Sequence, residues 1–314
     1  MGALTTTDYA AVSDGTNIYL YYQTDTNQIH EVTSADGSSW TASQAAVAEN
    51  LSPGGSPITA YYVANDGTSG KKSAIHVIYL DASGTLHEKV KSPLTNTSWE
   101  SRELPVEIKK APVSTSRLSS GVCHDTAAGA HQWVFFEKSR TDGTTGKSEI
   151  AEIRSGLESQ FKWIYRKVLQ EEAVAALPGT QLATNLTNPT THLFFQDHDG
   201  NITEYLGGYD AWNTKKVILT KEKVESSTPL TAAESSVADK PYVFFATKTT
   251  PFKIMVYNDG SSSEIAAYVP GTKLGAITVG GKVLLFHKPL AHPTSVWTQV
   301  YDGSAWKLGS KVVG

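Results

Sequence analysis

The sequence predicts an all-β fold, a six-bladed β-propeller of four-stranded antiparallel blades, and three observations predict it. A strand rich in aromatic and β-branched residues recurs six times, as Tyr19-Leu20-Tyr21-Tyr22, His76-Val77-Ile78-Tyr79, Trp133-Val134-Phe135-Phe136, His192-Leu193-Phe194-Phe195, Tyr242-Val243-Phe244-Phe245 and Val283-Leu284-Leu285-Phe286. A second short strand follows each after a polar turn and carries Glu31, Glu88, Glu152 or Glu204 in the first four repeats, but Val256 and Thr298 in the last two. An outer strand then begins near Trp40, Trp99, Trp163, Trp212 or Trp306, with no counterpart in the fifth repeat. Repeats of about 40–50 residues holding four strands each are what a propeller blade requires.

The elements follow in order within a single domain, with blades over 5–50, 51–110, 111–174, 175–222, 223–268 and 269–314. Each blade opens on an inner strand of small residues, aligned on Thr7, Ser56, Ser116, Thr180, Thr228 and Thr272, with an apolar residue two positions on. Close packing where six strands converge favours small side chains. The strands that come second are almost continuously apolar, as expected where neighbouring blades cover both faces. The chain opens on an inner strand and closes on an outer one, so each blade is expected to be self-contained. Packing between the first and last blades then shuts the ring.

Composition excludes several classes of function. With 39% hydrophobic residues, 10% aromatics and 25 glycines in 314 residues, the chain can bury a sizeable core of short strands. A net charge of −4 argues against a nucleic-acid surface or a polybasic membrane patch, both of which need clustered Lys and Arg. No apolar run approaches the roughly 20 residues of a membrane-spanning helix, so a soluble protein is expected. The single Cys123 excludes an intrachain disulfide. Sequons at Asn96, Asn185 and Asn201 permit glycosylation, whereas the start Met1-Gly2-Ala3-Leu4-Thr5-Thr6 shows no basic and apolar signal pattern, as expected of a cytosolic chain or a mature form, and matches the loose myristoylation pattern. The compartment is left open between the cytosol and the secretory route.

Two motifs imitate known sites. Asp197-His198-Asp199-Gly200-Asn201 opens like a calcium loop, but its twelfth position is Gly208, which offers no bidentate carboxylate. A hairpin turn is the better reading. Gly143-Thr144-Thr145-Gly146-Lys147-Ser148 imitates a phosphate loop, but Thr141 stands where the first glycine is required and no helix follows. No metal or cofactor site is expected.

The pairs His76 with Glu88 and His192 with Glu204 are each separated by twelve residues across a hairpin, as are Tyr19 and Glu31. Each pair should lie on adjacent strands, either as an anchor of a pocket between blades or as a polar couple satisfying itself at a seam. The residues preceding the hub apolar positions, Asp8, Arg117, Gln181 and Lys273, would form a mixed ring at the mouth of the central channel. Oriented donors there could stabilise an oxyanion; solvated rim residues are the plainer reading.

On the segments Thr191-His192-Leu193-Phe194-Phe195-Gln196, Asn201-Ile202-Thr203-Glu204 and Asp210-Ala211-Trp212, the repeat resembles the fungal fucose-binding lectin family. The resemblance implies sugar sites between blades, each made of an Arg on the second strand, a Glu on the third and a nearby Trp or Tyr. Glu31, Glu88, Glu152 and Glu204 match; the Arg positions hold Tyr19, His76, Trp133, His192, Tyr242 and Val283. Losing that cation costs a polar site about 2–4 kcal/mol, so fucose binding in the family's manner is not expected. Aromatic and imidazole groups suit a flatter, less polar ligand.

At fold level the chain is also similar to fungal lectin-like hetero-Diels–Alderases of tropolone meroterpenoid pathways. This implies a cofactor-independent cycloaddition of a quinone methide with a terpene polyene, promoted by confinement and one hydrogen-bond donor. The candidate donors are His76, His192, Arg117 and Lys273; the candidate substrate contacts are Tyr19, Trp133, Tyr242, Glu31, Glu88, Glu152 and Glu204. The alternatives are a lectin of altered, non-fucose specificity and an interaction platform. The expected partner is a terpenoid or polyketide small molecule or a glycan, with no nucleic acid and no membrane, and with room for a homodimer.

Overall fold

The computed structural model describes residues 2–126, 129–139, 148–166, 175–187, 190–207, 212–235, 240–248 and 250–314. Among them, six antiparallel sheets follow one another along the chain, each built from one continuous stretch. Blade 1 comprises Tyr9–Ser13, Ile18–Gln23, Ile29–Ser34 and Thr41–Ala42; blade 2 comprises Ile58–Asp66, Lys72–Leu80, Leu86–Lys91 and Glu100–Arg102. Blade 3 comprises Leu118–Thr126, Gly129–Ser139, Ser148–Ser155 and Ile164–Arg166, with the short Ala175–Ala176 paired to its third strand. Blade 4 comprises Ala183–Thr187, Thr190–Gln196, Ile202–Gly207 and Trp212–Leu219. Blade 5 comprises Leu230–Ala233, Tyr242–Ala246, Lys253–Asn258 and Ser261–Ala267; blade 6 comprises Gly275–Val279, Lys282–His287, Val296–Tyr301 and Trp306–Val313. Inner strands of successive blades touch all the way round, the sixth against the first.

The second strand of each blade is the wall between two seams. In blade 1, Tyr19 and Tyr21 pack toward blade 2 with Ile75 and Tyr79, while Leu20 and Tyr22 pack toward blade 6 with Leu284 and Phe286. Alternate side chains of a strand point to opposite faces, so a strand covered twice must be apolar throughout. That same uniformity hides its register. In blade 6 the structure corrects the alignment read from the sequence by one residue: Val283 faces blade 5, and Leu284, not Val283, stands where Tyr19 stands in blade 1. Phe286 lies opposite Thr298 as Tyr21 lies opposite Glu31. A slip of one residue exchanges the two faces, and an all-apolar run carries no signal against it.

From the sequence, crowding accounts for the small residues that open each blade; the structure gives them a different task. The hydroxyl oxygens of Thr7, Ser116, Thr180 and Thr228 accept the backbone N–H groups of Gln23, Glu137, Gln196 and Ala246 at 2.6, 2.8, 2.8 and 2.8 Å. They pin the inner strand to the end of the second, and a buried N–H without such a partner would be costly. The side chain at that strand end then reaches onward to the next blade. Gln23 accepts from Ser56 N and donates to Ser52 O, both at 2.7 Å. Gln196 accepts from Thr228 N at 2.9 Å and donates to Glu225 O at 3.0 Å. Lys288 takes the equivalent place in blade 6 and donates to Ala3 O at 2.8 Å, so the ring is shut by a buried hydrogen bond as well as by packing.

Candidate functional site

Each outer-strand tryptophan belongs to a seam rather than to its own blade. Trp99 meets Tyr21 of blade 1 edge-on with ring centroids 5.7 Å apart, and the pairs Trp212 with Phe135, Trp306 with Phe244 and Trp40 with Phe286 repeat this at 5.4, 5.6 and 5.6 Å. The preferred edge-to-face geometry of aromatic pairs thus fixes the angle at which blades meet. Glu31 shares Lys91 with Trp99, and Glu88 and Glu152 accept the indole N–H groups of Trp163 and Trp212.

At the seam of blades 1 and 2, Glu31 accepts the Tyr21 hydroxyl at 2.8 Å and both of its oxygens take Lys91 Nζ, at 2.8 and 2.6 Å. The ammonium also sits over the rings of Tyr19 and Trp99, 5.3 and 5.0 Å from their centroids. Tyr19 does not bond Glu31, contrary to the sequence pairing. Its hydroxyl donates to Asp14 at 2.9 Å, and Tyr21, directly opposite Glu31, bonds the carboxylate instead.

The seam of blades 2 and 3 is filled by its own side chains. Glu88 Oε1 lies 2.8 Å from His76 Nδ1 and 3.3 Å from Arg102 Nη1, and Oε2 accepts Trp163 Nε1–H at 2.7 Å. Burial alone would raise the Glu88 carboxyl; Arg102, His76 and Trp163 together outweigh it and hold the carboxyl below its ordinary range. His76 is stacked flat against Tyr61, and Arg102 also donates to Ser155 Oγ and to the Phe161 carbonyl. His76 and Glu88 are thus buried, at 0% and 1% exposure, within this network.

At the seam of blades 3 and 4, Glu152 accepts from Trp212 Nε1 at 3.2 Å and from Arg154 Nε. Here burial prevails over Arg154, and the carboxyl is raised. Trp133, expected as an aromatic pocket wall, is buried over Gly121, where even a Cβ would come within 2.4 Å of the ring. In blade 4, His192 Nδ1 lies 2.8 Å from Glu204 Oε1, and its Nε2 lies 2.8 Å from Thr187 Oγ1. Both His–Glu couples therefore exist; the second ring nitrogen of His192 is met by Thr187, whereas that of His76 has Asp66 Oδ2 at 3.7 Å.

Cations stand beside these glutamates on other strands. Arg102, Arg166 and Lys216 on the outer strands stand directly opposite Glu88, Glu152 and Glu204 in the register. A third-strand glutamate has two strand neighbours, and a cation on either can meet it. The second-strand positions hold no Arg, as the sequence reads, and the cations paired with Glu31, Glu88 and Glu152 come from third and fourth strands. A signal was present in the repeated spacing Trp99-Glu100-Ser101-Arg102 and Trp163-Ile164-Tyr165-Arg166. Lys91 and Arg154 follow no such repeat.

Arg117 and Lys273 lie elsewhere, in the ring of residues preceding the hub apolar positions. Below that ring a central cavity of about 110 Å³ is lined by Asp8, Gln181, Thr59, Ser119, Ser120 and Thr184 among others. The four candidate donors thus fall in three separate places. The Asp197 turn is a hairpin whose carboxylate accepts the N–H groups of Asp199 and Asn201 at 3.1 and 2.9 Å. The phosphate-loop imitation over 143–147, Gly208 and the Asp210-Ala211 pair lie outside the described residues.

Open space at a seam occurs between blades 5 and 6. A cavity of about 250 Å³ is framed by Tyr242, Tyr301 and Trp306, floored by Val256 and rimmed by Asn258, Ser261, Ser263 and Ser304. Tyr301 stacks on Trp306 at 5.2 Å and meets Tyr242 at 5.9 Å. Tyr242 and Val256 occupy the Arg and Glu positions of the other seams. Sequence reasoning named Tyr242 and missed Tyr301 and Asn258, which stand outside the repeated columns.

No family model matches the sequence, and no curated protein matches it. Solved structures do. A fungal lectin from Aleuria aurantia, described as a six-bladed β-propeller with a novel fucose recognition mode, superposes with a TM-score of 0.77 at 17% identity, over 99% of this chain and 97% of that one. AofleA from Arthrobotrys oligospora gives 0.76 at 17% identity, over 100% and 88%. The BP39L lectin from Burkholderia pseudomallei gives 0.64 at 13%, over 95% and 81%. The structural neighbours of this chain include fungal fucose-specific lectins, and the fold it shares with them is the six-bladed β-propeller.

Proposed function

We propose that the protein is a lectin-like binding propeller of non-fucose specificity, whose ligand is a neutral sugar held at the seam of blades 5 and 6. The observation that carries this reading is the aromatic frame of Tyr242, Tyr301 and Trp306 around an open cavity, at a seam whose Arg and Glu positions hold Tyr242 and Val256. The apolar face of a pyranose stacks on such rings, and its hydroxyls find Asn258 and the serines of the rim. The lectin folds of the neighbours support the ligand class, and the absence of a charged anchor at this seam favours a sugar other than fucose.

The cycloaddition drawn from resemblance gains no support from this arrangement. His76 and His192 are consumed by Glu88 and Glu204, and the hub cavity beside Arg117 and Lys273 is far smaller than the roughly 300 Å³ of an ordinary small-molecule pocket. Turnover of a tropolone quinone methide and a terpene into one stereoisomer would reverse the choice.

The test is a glycan array followed by calorimetry with the free saccharides that score. Trp306→Ala and Tyr242→Ala should each weaken binding about tenfold, the scale of one lost aromatic contact, while Trp163→Phe leaves affinity unchanged. A folded protein that binds no saccharide, or binds equally well without Trp306, sinks the reading.

A further inference from the structure

Blade 5 borders a second open seam, and we propose that the cavity between blades 4 and 5 binds a small aromatic carboxylate, its rings against the apolar wall and its charge toward Lys223. This cavity of about 380 Å³ is lined by Ile218 of blade 4, by Phe245, Met255 and Tyr257 of blade 5, and by the exposed Lys223 and Lys248 among others. Its size falls within the roughly 300–1,000 Å³ of an ordinary small-molecule pocket.

The space has a cause in the sequence. In blade 6, Trp306 lies directly opposite Tyr301; in blade 5 the equivalent pair is Ser262 and Tyr257, because the fifth repeat has no tryptophan on its outer strand. Ser262 lines the cavity, where an indole would bring far more bulk. Side chains alternate along the third strand of the blade, so Met255 and Tyr257 line this cavity while Val256 and Asn258 line the one between blades 5 and 6. The two sites therefore occupy opposite faces of one blade. His192 and Glu204, at the Arg and Glu positions of blade 4, are not among the lining residues, so this cavity is not the counterpart of the other.

The apolar lining selects a flat apolar body. Phe245 and Tyr257 offer ring surfaces, and Met255 adds a flexible, polarisable thioether that adapts to an aromatic edge. Charge selects the other end of the ligand. Among the described residues neither Lys223 nor Lys248 makes an ion pair. Two acids stand close. Asp259, next in the chain to the lining residue Gly260, is paired with Lys240 at 2.7 Å. Glu222 lines the cavity and keeps its charge, since the Thr220 hydroxyl and its own backbone N–H hold the carboxyl below its ordinary range, with Lys221 and Lys248 adding to them. Set against Lys248, it still leaves Lys223 uncompensated, and a monocarboxylate supplies the missing charge. This site stands whether or not a saccharide binds between blades 5 and 6.

The experiment titrates naphthoate and its uncharged twin naphthamide into the full chain by calorimetry. Naphthoate should bind saturably, and naphthamide about fivefold more weakly, the scale of one exposed ion pair. Added salt should shrink that difference. Lys223→Gln should remove it, whereas Lys282→Gln, on blade 6, should keep it. Ser262→Trp restores the indole of the other repeats and should abolish binding of both compounds. All three substitutions fall at exposed positions, and circular dichroism checks each fold, so that if one variant fails the others decide. No saturable heat with naphthoate up to about 10 mM, equal affinity for the acid and the amide, or binding undiminished by Ser262→Trp would overturn the proposal.

Discussion

Lys91 reaches from the third strand of blade 2 to both carboxylate oxygens of Glu31 in blade 1, at 2.8 and 2.6 Å, with both side chains almost wholly buried. The pair is a buried charge that spans the seam and is capped by Tyr19 and Trp99. Removing one partner strands the other in a low dielectric. Lys91→Met should therefore cost about 3–5 kcal/mol in urea unfolding, and adding Glu31→Gln should recover most of it, since the Tyr21 hydroxyl still satisfies the amide oxygen. Equal stability of the single and double variants would contradict this account.

The second seam tests whether its polar network is structural. Trp163→Phe keeps the ring but removes the N–H that Glu88 Oε2 accepts at 2.7 Å. The expected loss is about 1–3 kcal/mol, the usual cost of a buried acceptor left unsatisfied. Saccharide affinity measured on the same variant should not change, because Trp163 is not among the residues that line the cavity of blades 5 and 6.

Blade number, strand order and the His–Glu couples were legible in the sequence because they repeat, and repetition averages out local ambiguity. Hidden features were those that repetition does not carry. Val283 was placed one residue off because four consecutive apolar residues satisfy either face. The cations opposite Glu88, Glu152 and Glu204 escaped because they stand on the fourth strand, whereas the sequence reading looked for them on the second. The aromatic frame of blades 5 and 6 combines Tyr242 with Tyr301 and Trp306, about sixty residues apart in the chain, and only the ring brings them together.

Ring closure rests in part on Lys288, fully buried with its ammonium on the Ala3 carbonyl. Burial holds this ammonium below its ordinary range, yet the hydrogen bond ties the first residues of the chain to the last blade. Lys288→Ala leaves a cavity and an unsatisfied carbonyl and should lose about 2–4 kcal/mol. Lys288→Met refills the space without the donor and should fall between the two. Limited proteolysis near the N-terminus, faster in both variants than in the unaltered chain, locates the loss at the seam of blades 6 and 1.

Glu137 makes the stability depend on pH in a direction that its neighbours explain. It stands where Gln23 and Gln196 stand in blades 1 and 4, and its Oε2 accepts Gly179 N at 3.0 Å, while the buried Oε1 has no partner among the described residues. Burial raises the carboxyl from 4.5 to about 7, against the opposing pull of that N–H, of Ser148 and of Arg117. The folded state therefore keeps a proton that the unfolded chain releases between these two values. Stability from this group is complete below about pH 4.5 and is lost as pH rises through about 7, to the extent of roughly 3 kcal/mol by linkage. A glutamine supplies permanently the donor that only the protonated acid can supply. Urea unfolding of Glu137→Gln at pH 5 and pH 8 should thus show the variant close to the unaltered protein at the lower pH and more stable at the higher. The same decline with pH in both proteins would mean that another group carries the dependence.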